Sequence, residues 1–367
     1  KTMSDYKVIH PNFKLNGEGF TKTTLTDKAR SFIEKGAGFE KDIGTFLLQW
    51  LDDSPKLEAK TSGSTGQPKT IALEKQAMVN SAIATGLYFN LNPGSKALLC
   101  LPATYIAGKM MLVRALVLGL EMDCVAPQSE VEIHTNIIYD FAAMVPMQLL
   151  KSNHKLHHVK QLIVGGAPVS NALLDNLQAL PTVVYETYGM TETVSHIAVK
   201  QLNNFTEQPD KVDRALNMAV LSFEILPNIA ISQDQRGCLV IEAPKLLVDK
   251  IVTNDIVELL SDTTFKWLGR YDNVINSGGV KLHPEQIEAV LKRDIESRFF
   301  IASQADERLG EALIIVVEGE EGAVDSSVFN KLEHFQKPKA LFYVSEFAET
   351  SSGKIQRQKT IERLKKS

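Results

Sequence analysis

The chain has 367 residues, of which 44% are hydrophobic and 23% charged, and its formal net charge at pH 7 is −4. This balance is typical of a globular protein large enough for two domains, and the lack of a basic excess argues against nucleic acid as a partner. Three widely spaced cysteines and an N-terminus without an apolar signal segment predict a cytoplasmic protein, and no apolar stretch is long enough to span a membrane.

The first motif along the chain is TSGSTGQPK, residues 61–69. Its nearest general pattern is the P-loop, but Pro68 replaces the glycine before Lys69 and lacks the backbone N–H that a P-loop offers to phosphate. The flanking stretches KLEA and TIALE both predict strands, so the motif should join two strands rather than open a helix. Two interpretations stay open, a flexible polar turn or a phosphate-binding loop. In the second, hydroxyl groups and close backbone approach would come from Ser62, Gly63, Ser64, Thr65 and Gly66.

The middle of the chain alternates short apolar runs with segments of helical spacing, which predicts a mainly parallel sheet with crossover helices. The predicted strands are KALLCLPA, LEMDCVA, FAAMVP, VKQLIVGGAP and TVVYETYGMTET. The predicted helices are IAGKMMLVRALVLG, which stops at Gly119, then MQLLKS, and SNALLDNLQAL with Ser170 at its N-cap. Ligands of such sheets bind beyond the carboxyl ends of the strands, so the residues there are site candidates.

The residues that follow two of these strands have unusual chemistry. Gly165 and Gly166 either admit a flat ring close to the backbone or cap a strand. Tyr188, beside Gly189, either stacks on a base or fills the core. Glu192 lies among threonines and suits Mg²⁺, which takes few protein carboxylates, or it is a solvated loop residue.

Beyond about residue 205, the runs VLSFEIL, GCLVIEA and DIVELL predict a small, mostly antiparallel or barrel-like piece. Asp255, placed just before a strand, either accepts hydrogen bonds from both hydroxyls of a ribose or forms a turn. Residues 270–284 are polar and rich in glycine, which suits a domain junction. Arg270 and Asp272 flank that junction, where they either control a motion or form a surface ion pair.

The last part of the chain predicts a small α+β domain. Its helices are PEQIEAVLKRD, SSVFNKLEHF and TIERLKKS, and its strands are ALIIVVEG and ALFYVSEF. Lys354 lies in SSGKIQR on a predicted loop. It is either a surface lysine or a mobile cation that the second domain brings to the α-phosphate of a nucleotide.

Taken in order, the motifs resemble those of the adenylate-forming superfamily of acyl-CoA synthetases, peptide-synthetase adenylation domains and luciferases. The match covers about residues 57–358, through TSGSTGQPK, PATYIAG, GGAP, YGMTET, TND, GRYDNVINSGGVKLHPEQIE and SSGKIQR. Asn254 stands where the family has the glycine of T-G-D. The short chain and the segments GMTETVSHIA and TYIAGKMMLVRAL most resemble the short o-succinylbenzoate–CoA ligases of menaquinone biosynthesis.

The resemblance implies an α/β fold with a large domain, residues 1–270, that binds ATP and the acid and has a shortened N-terminus. Residues 271–367 would form a small mobile α+β lid hinged near Asp272. The implied enzyme is an AMP-forming acid–CoA ligase with ATP, Mg²⁺ and coenzyme A, acting on a small aromatic carboxylic acid. The alternatives are a ligase for another aryl or acyl acid, an enzyme that loads a carrier protein, and a non-catalytic nucleotide-binding relative.

The resemblance also assigns roles to individual residues. Lys354 would bridge the α-phosphate and the attacking carboxylate, with Thr191 on phosphate and Glu192 on Mg²⁺. The nucleotide and coenzyme A contacts would be Thr61, Ser62, Gly63, Ser64, Thr65, Gly66, Lys69, Gly165, Gly166, Ala167, Tyr188, Gly189, Asp255, Arg270, Ser277, Gly278 and Gly279. An acid with a second carboxylate needs a cation or several donors for that group, and the candidates for the acid pocket are Tyr105, Lys109, Ser195 and His196.

Overall fold

The computed structural model describes residues 5–60, 70–167, 169, 171–204, 222–246, 249–349 and 355–364. Three predictions lie outside these residues: the loop 61–69, the helix N-cap at Ser170 and the lysine at 354. Within the described residues the fold is α/β, as predicted, with one large mixed sheet and a second, smaller sheet near the C-terminus. Each described helix is too short or too polar to serve as a membrane span.

Two helices near the start of the chain pack against each other, α1 (Lys22–Lys35) and α2 (Gly38–Leu51). A capping box fixes the first turn of α1, because Thr21 and Thr24 each accept a hydrogen bond from the other's backbone N–H. The short strands β1 (Lys14–Leu15) and β2 (Glu18–Gly19) precede these helices. They lie at one edge of the large sheet.

The stretch 61–69 does join two strands. β3 (Lys56–Lys60) pairs antiparallel with β4 (Thr70–Glu74), and the helix α3 (Lys75–Tyr88) begins only after β4. A P-loop is followed directly by a helix, so this hairpin confirms that the motif has a different setting.

Five parallel strands form the centre of the large sheet, and all were predicted. They are β5 (Lys96–Leu99), β6 (Glu121–Cys124), β7 (Tyr139–Met144), β8 (Val159–Val164) and β9 (Val183–Gly189). Their spatial order is β6-β5-β7-β8-β9. The connecting helices are α4 (Ile106–Leu118), α5 (Pro146–Ser152) and α6 (Asn171–Leu177). Gly119 ends α4 in the left-handed conformation, with φ +72°, as predicted.

The parallel strands are covered on both faces. On β5, Ala97 and Leu99 belong to one hydrophobic cluster, whereas Leu98 and the following Cys100 belong to another. Successive side chains of a strand point to opposite faces, so a strand buried on both sides has a continuous apolar sequence. This explains why apolar and polar residues do not alternate in KALLCLPA.

The antiparallel strands predicted beyond residue 205 are present, but they extend the large sheet instead of forming one of their own. They are β11 (Phe223–Ile225), β13 (Cys238–Glu242) and β14 (Ile251–Leu259). Three strands that were not predicted lie beside them, β10 (His196–Gln201), β12 (Ala230–Gln233) and β15 (Thr264–Arg270). The link to the parallel strands is the antiparallel pair of β9 and β10. From there the order is β10-β11-β15-β14-β13-β12.

The smaller sheet contains β16 (Ile275–Ser277), β17 (Val280–Leu282), β18 (Phe299–Asp306), β19 (Gly310–Glu318) and β20 (Ala340–Val344). The helices α7 (Pro284–Leu291) and α8 (Arg357–Leu364) accompany it. The α-helix predicted for SSVFNKLEHF is wrong, because the structure has two 3₁₀ turns, Ser326–Lys331 and His334–Gln336. Serine, valine, asparagine and phenylalanine are all weak helix formers, and short 3₁₀ turns tolerate them.

Candidate active site

The glycine pair lies at the carboxyl end of β8, beside the end of β9. A Cβ atom at Gly165 would come within 2.5 Å of the Thr187 Oγ1, and Gly166 has a φ of +88°. Gly165 therefore favours glycine because a Cβ would meet the Thr187 side chain, and Gly166 favours it because of its left-handed backbone. Ala167 follows as an exposed residue, so this edge of the sheet presents accessible backbone.

A second group joins β9 to the antiparallel strands. The Tyr188 hydroxyl donates to Asp255 Oδ2 at 2.6 Å, and Arg270 Nη1 donates to Asp255 Oδ1 at 3.1 Å. The register of β14 and β15 places Asp255 opposite Arg270. Asp255 is only 6% exposed and lies inside β14, not in a turn before a strand as the sequence suggested. The structure thus unites three residues predicted separately.

The tyrosine ring of this group fills the core. Tyr188 packs edge-on against Phe265 at 5.3 Å between ring centroids. Burial raises the pKa of the Tyr188 phenol, and the neighbouring Asp255 carboxylate raises it further. The phenol therefore stays protonated and acts as a fixed donor that orients the carboxylate.

The segment after β9 holds Thr191 and Glu192 in a single 3₁₀ turn, Thr191–Thr193. Glu192 is exposed, whereas Thr193 is fully buried. In the described part of the chain, no three His, Cys, Asp or Glu side chains come together as metal ligands. A single exposed carboxylate is compatible with the prediction of Mg²⁺ at Glu192, because Mg²⁺ takes few protein carboxylates.

The most unusual side chain of the region is Arg114, in the middle of α4, which was not among the predicted site residues. Arg114 is 2% exposed, and its Nη2 donates to Ser195 Oγ at 2.8 Å and to His196 Nδ1 at 3.4 Å. Its Nε has no hydrogen-bond partner, and no acidic side chain of the described residues pairs with the guanidinium. Burial lowers the pKa of Arg114 to about 9, so the guanidinium stays charged at neutral pH.

The neighbouring His196 is neutral. It is buried, and both burial and the Arg114 charge hold the pKa of its imidazole well below the ordinary value. Because the guanidinium can only donate, His196 Nδ1 is the acceptor and the proton resides on Nε2, which lies 3.5 Å from Thr85 Oγ1. His196 therefore orients the arginine without adding a charge.

The other two residues predicted for the acid pocket occupy a different place. Lys109 is 7% exposed and donates from Nζ to the Glu58 carbonyl oxygen at 3.1 Å, so it is a buried residue of the helix and not a solvated one. Tyr105 is exposed at the N-cap of α4. Lys109 borders a cleft of about 230 Å³ beside the hairpin that carries residues 61–69, and the lining also includes Asp42, Thr45, Phe46, Gln49, Glu58, Thr70, Ala103 and Thr104.

The junction residues lie between the two sheets. Asp272 is exposed in the 3₁₀ turn Tyr271–Asn273, with its Oδ2 3.8 Å from Arg270 Nη2 and 3.4 Å from Asn254 Nδ2. The asparagine that replaces the family's glycine thus contacts the predicted hinge. In β16 and the turn to β17, Ser277 is buried while Gly278 and Gly279 have φ values of +57° and +84°.

Comparison with known proteins is consistent with this arrangement. Residues 61–226 match the family described as AMP-binding enzyme. An acyl-CoA synthetase (AMP-forming)/AMP-acid ligase II-like protein from Dyadobacter fermentans is 33% identical, with a TM-score of 0.60 and coverage of 92% of this chain and 98% of that one. The chain therefore belongs to the AMP-binding enzymes, in the class of AMP-forming acid–CoA ligases.

More distant relatives have names that specify a substrate. The 2-succinylbenzoate–CoA ligase of Lactococcus lactis is 23% identical over 363 residues, which cover 92% of this chain and 78% of the relative. The Bacillus subtilis o-succinylbenzoate CoA synthetase, solved with its acyl-adenylate intermediate, has a TM-score of 0.66 at 18% identity and covers 82% of this chain and 68% of that one.

Arg114 was missed although the sequence contains a signal for it. The segment KMMLVRALVLGL is apolar around the whole helix, and ten consecutive positions from Gly108 to Val117 are buried. A helix of that kind lies in the core, so a charged residue in its middle must be buried too. Charged side chains are almost never fully buried unless they are paired, so such a residue is a candidate for function. The same argument applies to Lys109, the second of these ten buried positions.

Proposed function

We propose that this enzyme is an o-succinylbenzoate–CoA ligase of menaquinone biosynthesis. The observation that carries the proposal is the buried Arg114 guanidinium with no acidic partner in the described residues. Burying a charge without compensation is costly, and such a charge is usually paired. The second carboxylate of the acid would provide the missing partner, because guanidinium and carboxylate form short, charge-assisted hydrogen bonds.

The pocket for that carboxylate would combine three side chains. Arg114 supplies the charge, Ser195 supplies a hydroxyl, and the neutral His196 fixes the guanidinium. A monocarboxylic acid would leave the buried cation unpaired, so the site should discriminate against it. The names of the distant curated relatives point to the same dicarboxylate.

The proposed reaction has two half-reactions. First, a carboxylate oxygen of the acid attacks the α-phosphorus of ATP, and the bond to the bridging oxygen of pyrophosphate breaks. Next, the sulfur of coenzyme A, as thiolate, attacks the acyl carbon, and AMP leaves with the former carboxylate oxygen. The first step brings an anion to a polyanion, so positioning and charge neutralisation should dominate catalysis.

The described residues have clear tasks in this scheme. Asp255, held by Tyr188 and Arg270, would accept hydrogen bonds from the ribose hydroxyls, since each carboxylate oxygen has a second lone pair available. Glu192 would hold Mg²⁺, which neutralises phosphate charge when bound, and Thr191 would contact phosphate. The glycine pair at 165–166 and the following Ala167 would border the adenine.

Two of the remaining roles belong to residues outside the described part of the chain, and the others concern the lid. We propose that Thr61 to Gly66 and Lys69 hold the β- and γ-phosphates, which agrees with the position of their hairpin beside the buried Lys109. Lys354 would bridge the α-phosphate and the acid. Residues 271–367 would form the lid, with the hinge at Asp272 between the two sheets and a coenzyme A passage along Ser277 to Gly279.

An acid panel tests the proposal. Pyrophosphate release would be measured with o-succinylbenzoate, benzoate and a fatty acid at equal concentrations, followed by mass detection of the coenzyme A thioester. We expect o-succinylbenzoate to give the highest kcat/KM by at least about tenfold. A higher kcat/KM for a monocarboxylic acid would refute o-succinylbenzoate as the substrate. Absence of pyrophosphate release with every acid would indicate a non-catalytic relative.

A further inference from the structure

The turn between Glu192 and Ser195 has an unusual backbone. Val194 has φ +69° and ψ −47° and is 2% exposed. The other non-glycine residues with positive φ in the described ranges are all asparagine, at positions 16, 90, 204 and 228. Asparagine tolerates this region, whereas for a β-branched residue it is an outlier.

The hydrogen bonding identifies the type of turn. The Ser195 N–H donates to the Thr193 carbonyl oxygen at 2.8 Å, two residues back, with Val194 at the centre. This is a γ-turn of the positive-φ type, which is rare and strained. Strained residues of this kind persist only where the surroundings hold them, and they concentrate at functional sites.

Several contacts hold the turn in place. The buried Thr193 accepts the Met190 N–H at its Oγ1, 3.0 Å away, and can donate to the Ser195 carbonyl oxygen at 2.8 Å. The Val194 side chain is part of the hydrophobic cluster that also contains residues of α4. A Cβ atom at Gly189 would lie 2.5 Å from the Ser195 carbonyl oxygen, so the turn rests directly on strand backbone.

The turn sets the position of the serine that contacts the arginine. Ser195 Oγ lies 2.8 Å from Arg114 Nη2 and 3.3 Å from His196 Nδ1, directly after the strained residue. Nη2 donates to both Ser195 Oγ and His196 Nδ1. Nε has no partner, and Nη1 donates to the Met111 sulfur at 3.6 Å. The Nη2 end of the guanidinium is thus held in place, while the Nε–H has no acceptor.

We infer that Val194 is a positioning residue that sets the enzyme's preference for a dicarboxylic acid. The strained turn holds Ser195 against Arg114, and the fixed guanidinium then binds the carboxylate that does not react. Glycine would adopt this φ without strain but would also adopt many other conformations, so it would release the serine. The inference rests on the proposed dicarboxylate substrate.

The test compares Val194→Gly and Val194→Ala with the parent enzyme. Steady-state kinetics would be measured with o-succinylbenzoate and with 4-oxo-4-phenylbutanoate, which lacks the ring carboxylate. We expect Val194→Gly to raise KM for o-succinylbenzoate about tenfold, the loss typical of a hydrogen bond to a charged group. The KM for ATP and the kinetics of the monocarboxylate should stay within about twofold of the parent. Val194→Ala, which loses packing but keeps a Cβ, should fall between.

Val199→Ala provides a matched control, because Val199 is equally buried in the same cluster but lies in the regular strand β10. It should lower the melting temperature without changing the ratio of the two acids' KM values. A ratio that stays at the parent value in both Val194 variants, or that changes equally in Val199→Ala, would overturn the inference. If Arg114→Met loses the discrimination between the two acids in that case, the proposed function stands without the inference; if Arg114→Met discriminates as strongly as the parent, the proposed function fails as well.

Discussion

Replacing Arg114 by methionine should separate activity from stability. The guanidinium is 2% exposed, donates to Ser195 and His196 from Nη2, and has an Nε without a hydrogen-bond partner. Removing one partner of a buried charge pair costs about 2–5 kcal/mol. At 1.4 kcal/mol per tenfold, kcat/KM for o-succinylbenzoate should fall roughly 30- to 4,000-fold.

The same substitution should leave the fold intact. Replacing a buried charge by an apolar side chain of similar size is often neutral or stabilising by about 1–4 kcal/mol. Arg114 has no acidic partner in the described residues, so we expect an unchanged or higher melting temperature. Such an opposition of stability and activity is typical of a side chain kept for function.

The assay is pyrophosphate release with o-succinylbenzoate and with 4-oxo-4-phenylbutanoate, on the parent and on Arg114→Met. Arg298→Met is the control, since Arg298 is half-exposed and pairs with Glu318 and Glu349 in the smaller sheet. The loss should be confined to o-succinylbenzoate. An equal loss for both acids, or a marked loss of stability, would show that Arg114 is a structural residue and refute the reasoning.

Three further predictions concern the lid and pH. Lys354→Ala should abolish adenylate formation but spare thioester formation from supplied acyl-adenylate; equal loss in both half-reactions would contradict the role of the lysine. Asp272→Pro should slow thioester formation more than adenylation, because proline fixes φ at the hinge, and a normal single-turnover thioester rate would exclude a hinge there. The low folded-state pKa of His196 means that the unfolded chain binds its proton more readily. Stability therefore falls as pH drops below about 6.5, and His196→Asn should reduce this slope by up to about 1.4 kcal/mol per pH unit in urea unfolding.

Helices and strands could be predicted where nearby residues in the sequence determine the backbone conformation. Gly119 ends α4 because glycine adopts the left-handed cap conformation without strain, and the strands around residues 61–69 followed from their short apolar patterns. The failure at SSVFNKLEHF has a local cause as well, since weak helix formers left the backbone in 3₁₀ turns.

The site itself depends on contacts distant in sequence. Tyr188 reaches Asp255 across 67 positions, and Arg114 reaches Ser195 across 81, so no local pattern indicates either pair. Tyr188, Asp255 and Ser195 were recognisable one at a time through their motifs, whereas Arg114 was not predicted and the pairings follow from the fold. The strain at Val194 is invisible in sequence because valine there contradicts the ordinary preference of its backbone conformation.

The most direct test of the central claim is a crystal structure of the enzyme with o-succinylbenzoyl adenylate. We expect the ring carboxylate within about 3 Å of the Arg114 guanidinium, with Ser195 still bonded to Nη2. A carboxylate bound elsewhere, with Arg114 contacting only Ser195 and His196, would contradict the account.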